Sequence, residues 1–374
     1  MSTEAVASRG AGLDLASVRI GRLAFGTAAC LCFAEGAAWT LSFIAPVMTL
    51  FLLSVPTPAP SLKNGIGLIA AVVVSFLVGL MLLPRMLHQP LVGFLLLGLL
   101  LYWSFYIPAR GGSPLVGALL TLGLAFSTAI GTVSIDAVLI VVKGVILGTV
   151  VGVLFVWIAH AVLPDSLARP VATGPQRPPA AAGPPDLANA RWGAFRALMI
   201  VLPIGLWFLL SGASFAYAPV MIKVAAMGQQ ATRAGTREAA RSLIMSTLIG
   251  GVGAIIGWQV LRIAPTLPVY ALFLGLAGLV AGRHIFRGSG PAPDGATWSY
   301  GYLTMLVILA PAVMDTAFGA AAGVAFLDRL WMFLLATLYG VAAVYMVDAL
   351  RPRPASPDPG AILSHSDQPP GDRK

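Results

Sequence analysis

Seven ionisable side chains stand inside or beside long apolar stretches: Glu35, Asp136, Lys143, Lys223, Asp315, Asp328 and Arg329. In a bilayer interior a charge costs at least ~2.5–3.5 kcal/mol, so it normally faces a partner or a wet cavity and marks an ion or substrate path. Lys223 is the sharpest case. It falls near the middle of a short apolar segment, four residues after Pro219. A lysine at mid-depth beside a proline-disrupted helix suits the carboxylate of an organic acid. A lysine stem reaching back to the cytoplasmic surface accounts for it equally well. Among the acids, Glu35 lacks a counterpart in the second half of the chain, and it is a candidate for carrying a coupling proton. Asp136 and Asp315 are further candidates. Asp136, Asp315, Asp328 and Arg329 also fit solvated outer turns or structural pairs. Asp136 and Lys143, seven residues apart, share one helix face.

Basic residues outside these stretches suggest a mouth for anions. Arg233, Arg237 and Arg241 recur every four residues, which predicts one face of a helix start, and Lys63 holds the corresponding place in the first half. They would either draw anionic substrates electrostatically or anchor the chain to lipid head groups. Two aromatic clusters, Trp103-Phe105-Tyr106 and Trp298-Tyr300-Tyr302, read as interfacial belts or as stacking surfaces for an aromatic substrate. Catalytic patterns are scarce. There is no phosphate-binding loop motif, and Gly251-Val252-Gly253 lies inside an apolar span. His88, His160, His284 and His365 lack metal-ligand spacing, and Cys30 and Cys32 point to different faces of one helix. We therefore expect no catalytic residues, metal or cofactor, and not an enzyme.

The elements that must position these groups follow from composition. The 374 residues are 58% hydrophobic and only 10% charged, with mean hydropathy +0.89. A soluble domain is about 25% charged, and a membrane β-barrel alternates polar and apolar residues. The first is excluded and the second disfavoured, leaving an all-α polytopic membrane protein. The net charge of +9 reflects the positive-inside rule rather than nucleic acid. Residues 1–18 form a polar cytoplasmic segment without a removable signal sequence. A first membrane unit covers 19–163, a Pro/Ala-rich cytoplasmic linker 164–192, a second membrane unit 193–350, and a disordered cytoplasmic tail 351–374. Each unit holds about six apolar spans, ten to twelve in total. The second and eighth segments, near 41–55 and 213–228, are too short to cross straight through a ~30 Å core.

The two units read as parallel repeats. Ala45-Pro46-Val47-Met48 recurs as Ala218-Pro219-Val220-Met221, Arg22 matches Arg196, and Gly152 matches Gly340. Gly144, Gly148 and Gly152 form a small-residue stripe that predicts close helix packing, with Gly340 on the weaker second copy. It could hold the two repeats together. With the N-terminus inside, 18 of the 23 Lys+Arg residues fall on the cytoplasmic side, which predicts a multi-pass membrane protein with both termini cytoplasmic.

The Ala-Pro segments, the basic stretch Thr232 to Arg241 and the glycines Gly250, Gly251, Gly253 and Gly257 carry a resemblance. So does the parallel plan with Pro56 to Lys63 and Gly65, Gly67 and Gly79. Together they resemble the fusaric-acid-resistance family of inner-membrane proteins, which includes p-hydroxybenzoate efflux pumps. The resemblance is to a compact bacterial branch and covers roughly residues 19–163 and 191–350. It implies proton-driven export of aromatic or other weak organic acids. Membrane lipid, a periplasmic adaptor of the membrane-fusion type and further copies of the chain are the partners expected. Larger members carry a sizeable cytoplasmic domain between the repeats, and this linker has no room for one. A passive organic-anion channel, or a non-transporting scaffold subunit of an efflux assembly, would use the same architecture.

Overall fold

A computed structural model of the chain describes residues 14–39, 41–131, 134–168, 187–210, 218–233, 235–288, 290–316 and 321–350. Each apolar stretch forms a helix, because in hydrocarbon every backbone N–H and C=O must be satisfied within its own segment. Among the described residues, twelve α-helices result. The first six are α1 (Leu15–Gly36), α2 (Ile44–Leu53), α3 (Leu62–His88), α4 (Pro90–Ala109), α5 (Pro114–Gly131) and α6 (Ile135–Val162). The second six are α7 (Leu187–Leu210), α8 (Ala218–Arg233), α9 (Thr236–Ile263), α10 (Leu267–Ile285), α11 (Gly295–Thr316) and α12 (Ala321–Ala349). A 3-10 turn covers Asp165–Leu167, and two short antiparallel strands, β1 (Phe286–Arg287) and β2 (Gly290–Pro291), join α10 to α11. Among the described residues, eight helices, α1, α3, α4, α6 and α9 to α12, are long and apolar enough to cross a membrane. The protein is a multi-pass helical membrane protein.

Local chemistry sets the helix boundaries. Ser61 and Ser134 cap α3 and α6 by accepting from Asn64 N and Ala137 N at 3.2 and 3.3 Å. Pro90 opens α4, where its missing N–H has no partner to lose. The same logic revises the expectation of a proline-disrupted helix. Pro46 lies in the first turn of α2 and Pro219 is the second residue of α8, so each starts its helix rather than breaking it.

The helices pack in a recurring pattern. In the first six, α1, α2 and α6 touch one another, α3, α4 and α5 touch one another, and α6 also meets α3 and α5. Among the second six, α7, α8 and α12 form one trio and α9, α10 and α11 the other, and α12 meets α9 and α11. Between the two sets, α1 packs on α10 as α4 packs on α7, and α2 meets α11 as α5 meets α8.

Two short helices stand at the centre of this plan, and glycines decide how closely they approach. At Gly148 a Cβ would lie 2.9 Å from Ile44 Cγ2 and 3.1 Å from Ala45 N. At Gly152 it would lie 2.8 Å from Met48 Cβ and 3.0 Å from Ala45 O. The glycine stripe therefore seats α2 on α6 within the first six helices and does not join the two halves. Gly340 plays the same part on α12, where an added Cβ would strike Met227 of α8. Ile44 rests against the middle of the 28-residue α6, so the ten residues of α2 cover only half of its height. The residues just before α2 are packed as well. Leu41, Ser42 and Phe43 are buried there, and the turn needs left-handed backbone at Ala38 (φ 50°) and Leu41 (φ 64°).

One end of the bundle gathers the N-terminus of α1, the end of α6, and the α2–α3, α4–α5, α8–α9 and α10–α11 connections. Arg22 joins the first two, donating to Leu163 O at 2.6 and 3.1 Å and to Asp165 at 2.7 Å. Arg196 of α7 makes the matching link to Asp348 of α12 at 3.1 Å, and Thr236 donates to the same carboxylate at 2.5 Å. Among the described residues most of the basic side chains lie at this end, which we call the basic face.

Candidate functional site

The site is built on facing stripes of α8 and α11. Lys223, Ala226 and Gln230 of α8 recur at helical spacing, as do Tyr300, Leu303, Thr304 and Val307 of α11. Residues three, four and seven apart share a helix face, so these stripes oppose one another along their length. Phe333 of α12 closes the deep end.

Lys223 lies ten residues from the end of α8 at the basic face, about 15 Å of helix and close to the middle of a ~30 Å hydrocarbon core. It is 3% exposed. Its stem therefore does not reach back to the surface. Its ammonium instead donates to Thr304 Oγ1 at 3.4 Å, the long limit of a hydrogen bond. Among the described residues no carboxylate lies within ion-pairing distance of it.

Two cavities approach this lysine from the basic face. One, of about 510 Å³, lies among Ser54 to Thr57, Ser113, Pro114, Gly295, Ser299 and Tyr300. The other, of about 580 Å³, lies among Glu238, Arg241, Ser242, Asp294, Thr297 and Trp298. Gln229 and Tyr300 line both. A narrow apolar pocket of about 50 Å³ continues from them between α2, α5 and α8. The space beside Lys223 itself is about 10 Å³, room for one water. Tyr300, Leu303 and Gln230 separate it from the larger cavities.

Gln230 sets the polarity of that constriction. It is 6% exposed, and its Oε1 accepts from Ser242 Oγ at 3.2 Å, while Ser242 and Thr297 share a 3.1 Å bond. Its Nε2 has no hydrogen-bond partner among the described residues. Buried donors normally find an acceptor. The Gln230 amide and the Lys223 ammonium are thus two donors in sequence along one face of α8, an arrangement that suits an anion.

The other predicted groups scatter. Arg241 lines the larger cavity. Arg237 is exposed on α9 one turn earlier, and Lys63 is exposed in the first turn of α3. Arg233 ends α8 and so does not share a helix face with Arg237 and Arg241, because the chain breaks at Gly235 before α9 begins. The side chain of Arg233 lies outside the described residues, as do those of Asp315 and Pro219. Asp136 is exposed in the first turn of α6, where a carboxylate complements the helix dipole. Lys143 is exposed on the same outer stripe of α6. Glu35 is half-buried in the last turn of α1, at the end away from the basic face, and accepts from the buried Ser42 Oγ at 2.9 Å. It lines none of the cavities that lead to Lys223. The belt reading of the aromatics also divides. Trp103 is 47% exposed, but Tyr300 faces the cavities and Tyr302 is buried, bonded to Thr27 Oγ1 and Leu274 O at 2.9 Å each.

Gln229, Gln230 and Thr304 were not among the residues singled out from the sequence. The signal was present as paired amides in an otherwise apolar stretch, but polar residues in a span are as often helix-packing contacts. Only the cavities distinguish the two.

A family model described as "Protein of unknown function (DUF2955)" matches residues 19–159, from α1 through most of α6. No curated protein and no solved structure matches the chain. The first six helices are therefore similar to a family of unknown function, and that description makes no link to fusaric acid resistance.

Proposed function

We propose that this protein is a secondary transporter exporting small aromatic or other weak organic acids across the bacterial inner membrane, coupled to protons, with the basic face cytoplasmic. The observation that carries the reading is the buried, mid-depth Lys223 at the convergence of two cavities that open on the basic face. A carboxylate would be drawn in by Arg241, pass Gln229 and Tyr300, and accept bonds from Gln230 Nε2 and Lys223 Nζ. The matching helix pairings in α1–α6 and α7–α12 support a duplicated, parallel-repeat architecture, which suits alternating access around a central site. Sealing by Tyr300, Leu303 and Phe333 would then be one state of that cycle. Glu35, tied to Ser42, is the proton-coupling candidate on the opposite side. A periplasmic adaptor would receive the exported acid there.

The test is flux. The chain is reconstituted alone in liposomes, a pH gradient is imposed, and labelled p-hydroxybenzoate is followed against protein-free vesicles. Accumulation above the passive distribution, abolished by Lys223→Leu, supports coupled transport. Protein-dependent equilibration without accumulation would replace the pump by a channel. Accumulation untouched by Lys223→Leu would remove Lys223 from the mechanism.

A further inference from the structure

α9 and α10 are consecutive, yet they touch each other little: α9 packs mainly on α11, while α10 packs mainly on α1 and less closely on α11. This leaves an apolar groove of about 490 Å³ on the outer surface of the bundle. Val252 and Ile256 form one wall, Phe273 and Ala277 the other, and Trp298 and Met305 of α11 the floor. The walls face outward, with Val252 55% and Leu276 60% exposed. Along α9 the groove runs from Leu248 to Ile256, about 12 Å, and along α11 it runs from the first turn to mid-helix. It therefore lies in the leaflet next to the basic face.

Its basic-face end adjoins the larger vestibule. Trp298 and Ile249 line both spaces. Trp298 stacks on His284 in the last turn of α10, with ring centroids 3.9 Å apart and planes within 7°, so it stands as a partition between lipid and vestibule. Just past it are Arg241 and the Gln230–Ser242–Thr297 chain, together with the carboxylates of Glu238 and Asp294. The apolar groove thus abuts a polar chamber whose buried donor, Gln230 Nε2, has no acceptor among the described residues. Hydrocarbon alone would fill the groove but would leave that donor unmet. An amphiphile satisfies both ends.

We propose that the α9–α10–α11 groove is a lateral entrance through which an amphiphilic monocarboxylate leaves the inner leaflet, its apolar tail along the groove and its carboxylate turned past Trp298 toward Arg241 and Gln230. The proposal rests on the transport reading for its purpose, but occupancy of the groove can be measured without transport. It adds a substrate class: acids with an apolar tail, taken from the membrane, beside smaller acids taken from water at the basic face.

The full chain is reconstituted in phosphatidylcholine nanodiscs with a medium-chain fatty acid bearing a chain diazirine, and photolabelled peptides are mapped by mass spectrometry. The methyl ester of the same acid serves as the uncharged comparator. The expected result is labelling of the Val252, Phe273 and Met305 peptides above that of lipid-facing α4, with the ester reduced to the α4 level. Ala277→Phe and Val252→Trp, on opposite walls, should each abolish the excess while p-hydroxybenzoate flux in liposomes is retained. Equal labelling of α4 and the groove, or an excess that the ester reproduces, overturns the proposal and leaves the groove as ordinary lipid contact. An excess that survives both occluding substitutions overturns it as well. Specific labelling in a protein that moves no acid supports the groove and refutes the transport reading, so the two failures remain distinct.

Discussion

Replacing Lys223 with methionine separates function from stability, because the two should move in opposite directions. The side chain is 3% exposed and its one described hydrogen bond is 3.4 Å long, to a neutral hydroxyl. A charge at the centre of a membrane helix costs ~2.5–3.5 kcal/mol, and a bond of this kind returns about 0.5–1.5 kcal/mol. The native lysine therefore costs the fold about 1–3 kcal/mol. Methionine keeps the length and apolar volume of the stem and removes the charge, so Lys223→Met should raise the thermal midpoint of the purified protein by about 2 °C or more. Binding should respond in the other sense. Loss of a charge-assisted bond to a carboxylate costs about 1.5–3 kcal/mol, which weakens acid affinity by about 10- to 150-fold. Differential scanning fluorimetry and equilibrium binding of p-hydroxybenzoate read the two effects on one preparation. A lower midpoint together with unchanged affinity would refute the reasoning, since Lys223 would then be an internal structural link.

Other expectations follow from contacts at the basic face and in the bundle. Arg22→Met strands the Leu163 carbonyl and should cost about 1.5–3 kcal/mol, whereas Asp165→Asn removes a partner that is 54% exposed and should cost no more than about 1 kcal/mol; thermal unfolding in detergent that reverses this order counts against Arg22 as the tie between α1 and α6. Gly152→Ala places a methyl 2.8 Å from Met48 Cβ and should destabilise by about 1–3 kcal/mol through displacement of α2. Gly67→Ala, where an added Cβ meets nothing within 4 Å, should be neutral or stabilising by up to about 1 kcal/mol. Tyr302→Phe loses the bridge to Thr27 and Leu274 and should cost about 0.5–1.5 kcal/mol. Tyr270→Phe removes a buried hydroxyl that has no partner among the described residues and should leave the midpoint unchanged or higher. Equal losses in the two tyrosine variants would contradict this assignment of their hydroxyls.

Composition and span pattern sufficed for the class, because a chain that is 58% hydrophobic and 10% charged can satisfy its backbone only as membrane helices. The order of twelve helices followed from the same pattern, since each apolar run is bounded by Gly, Pro or charge that no span interior tolerates cheaply. The match of Arg22 to Arg196, visible in the sequence, acquires its meaning from tertiary contacts: each ties the first helix of its half to the end of the last. Other features were decided in three dimensions alone. The glycine stripe shows that some helix approaches α6 closely, but small residues do not name their partner, and the partner is α2. The spacing of Arg233, Arg237 and Arg241 imitates one helix face until Gly235 interrupts it, because periodicity is blind to a break that keeps the count. The depth of Lys223 was legible from its position in the span, whereas its surroundings were not. Gln230, Tyr300 and Thr304 come from α8 and α11, with about seventy residues between them, and only packing brings them to one lysine. A sequence fixes which side chains a helix carries and on which face; which face meets which, and where a cavity is left between them, depends on how all twelve helices close together.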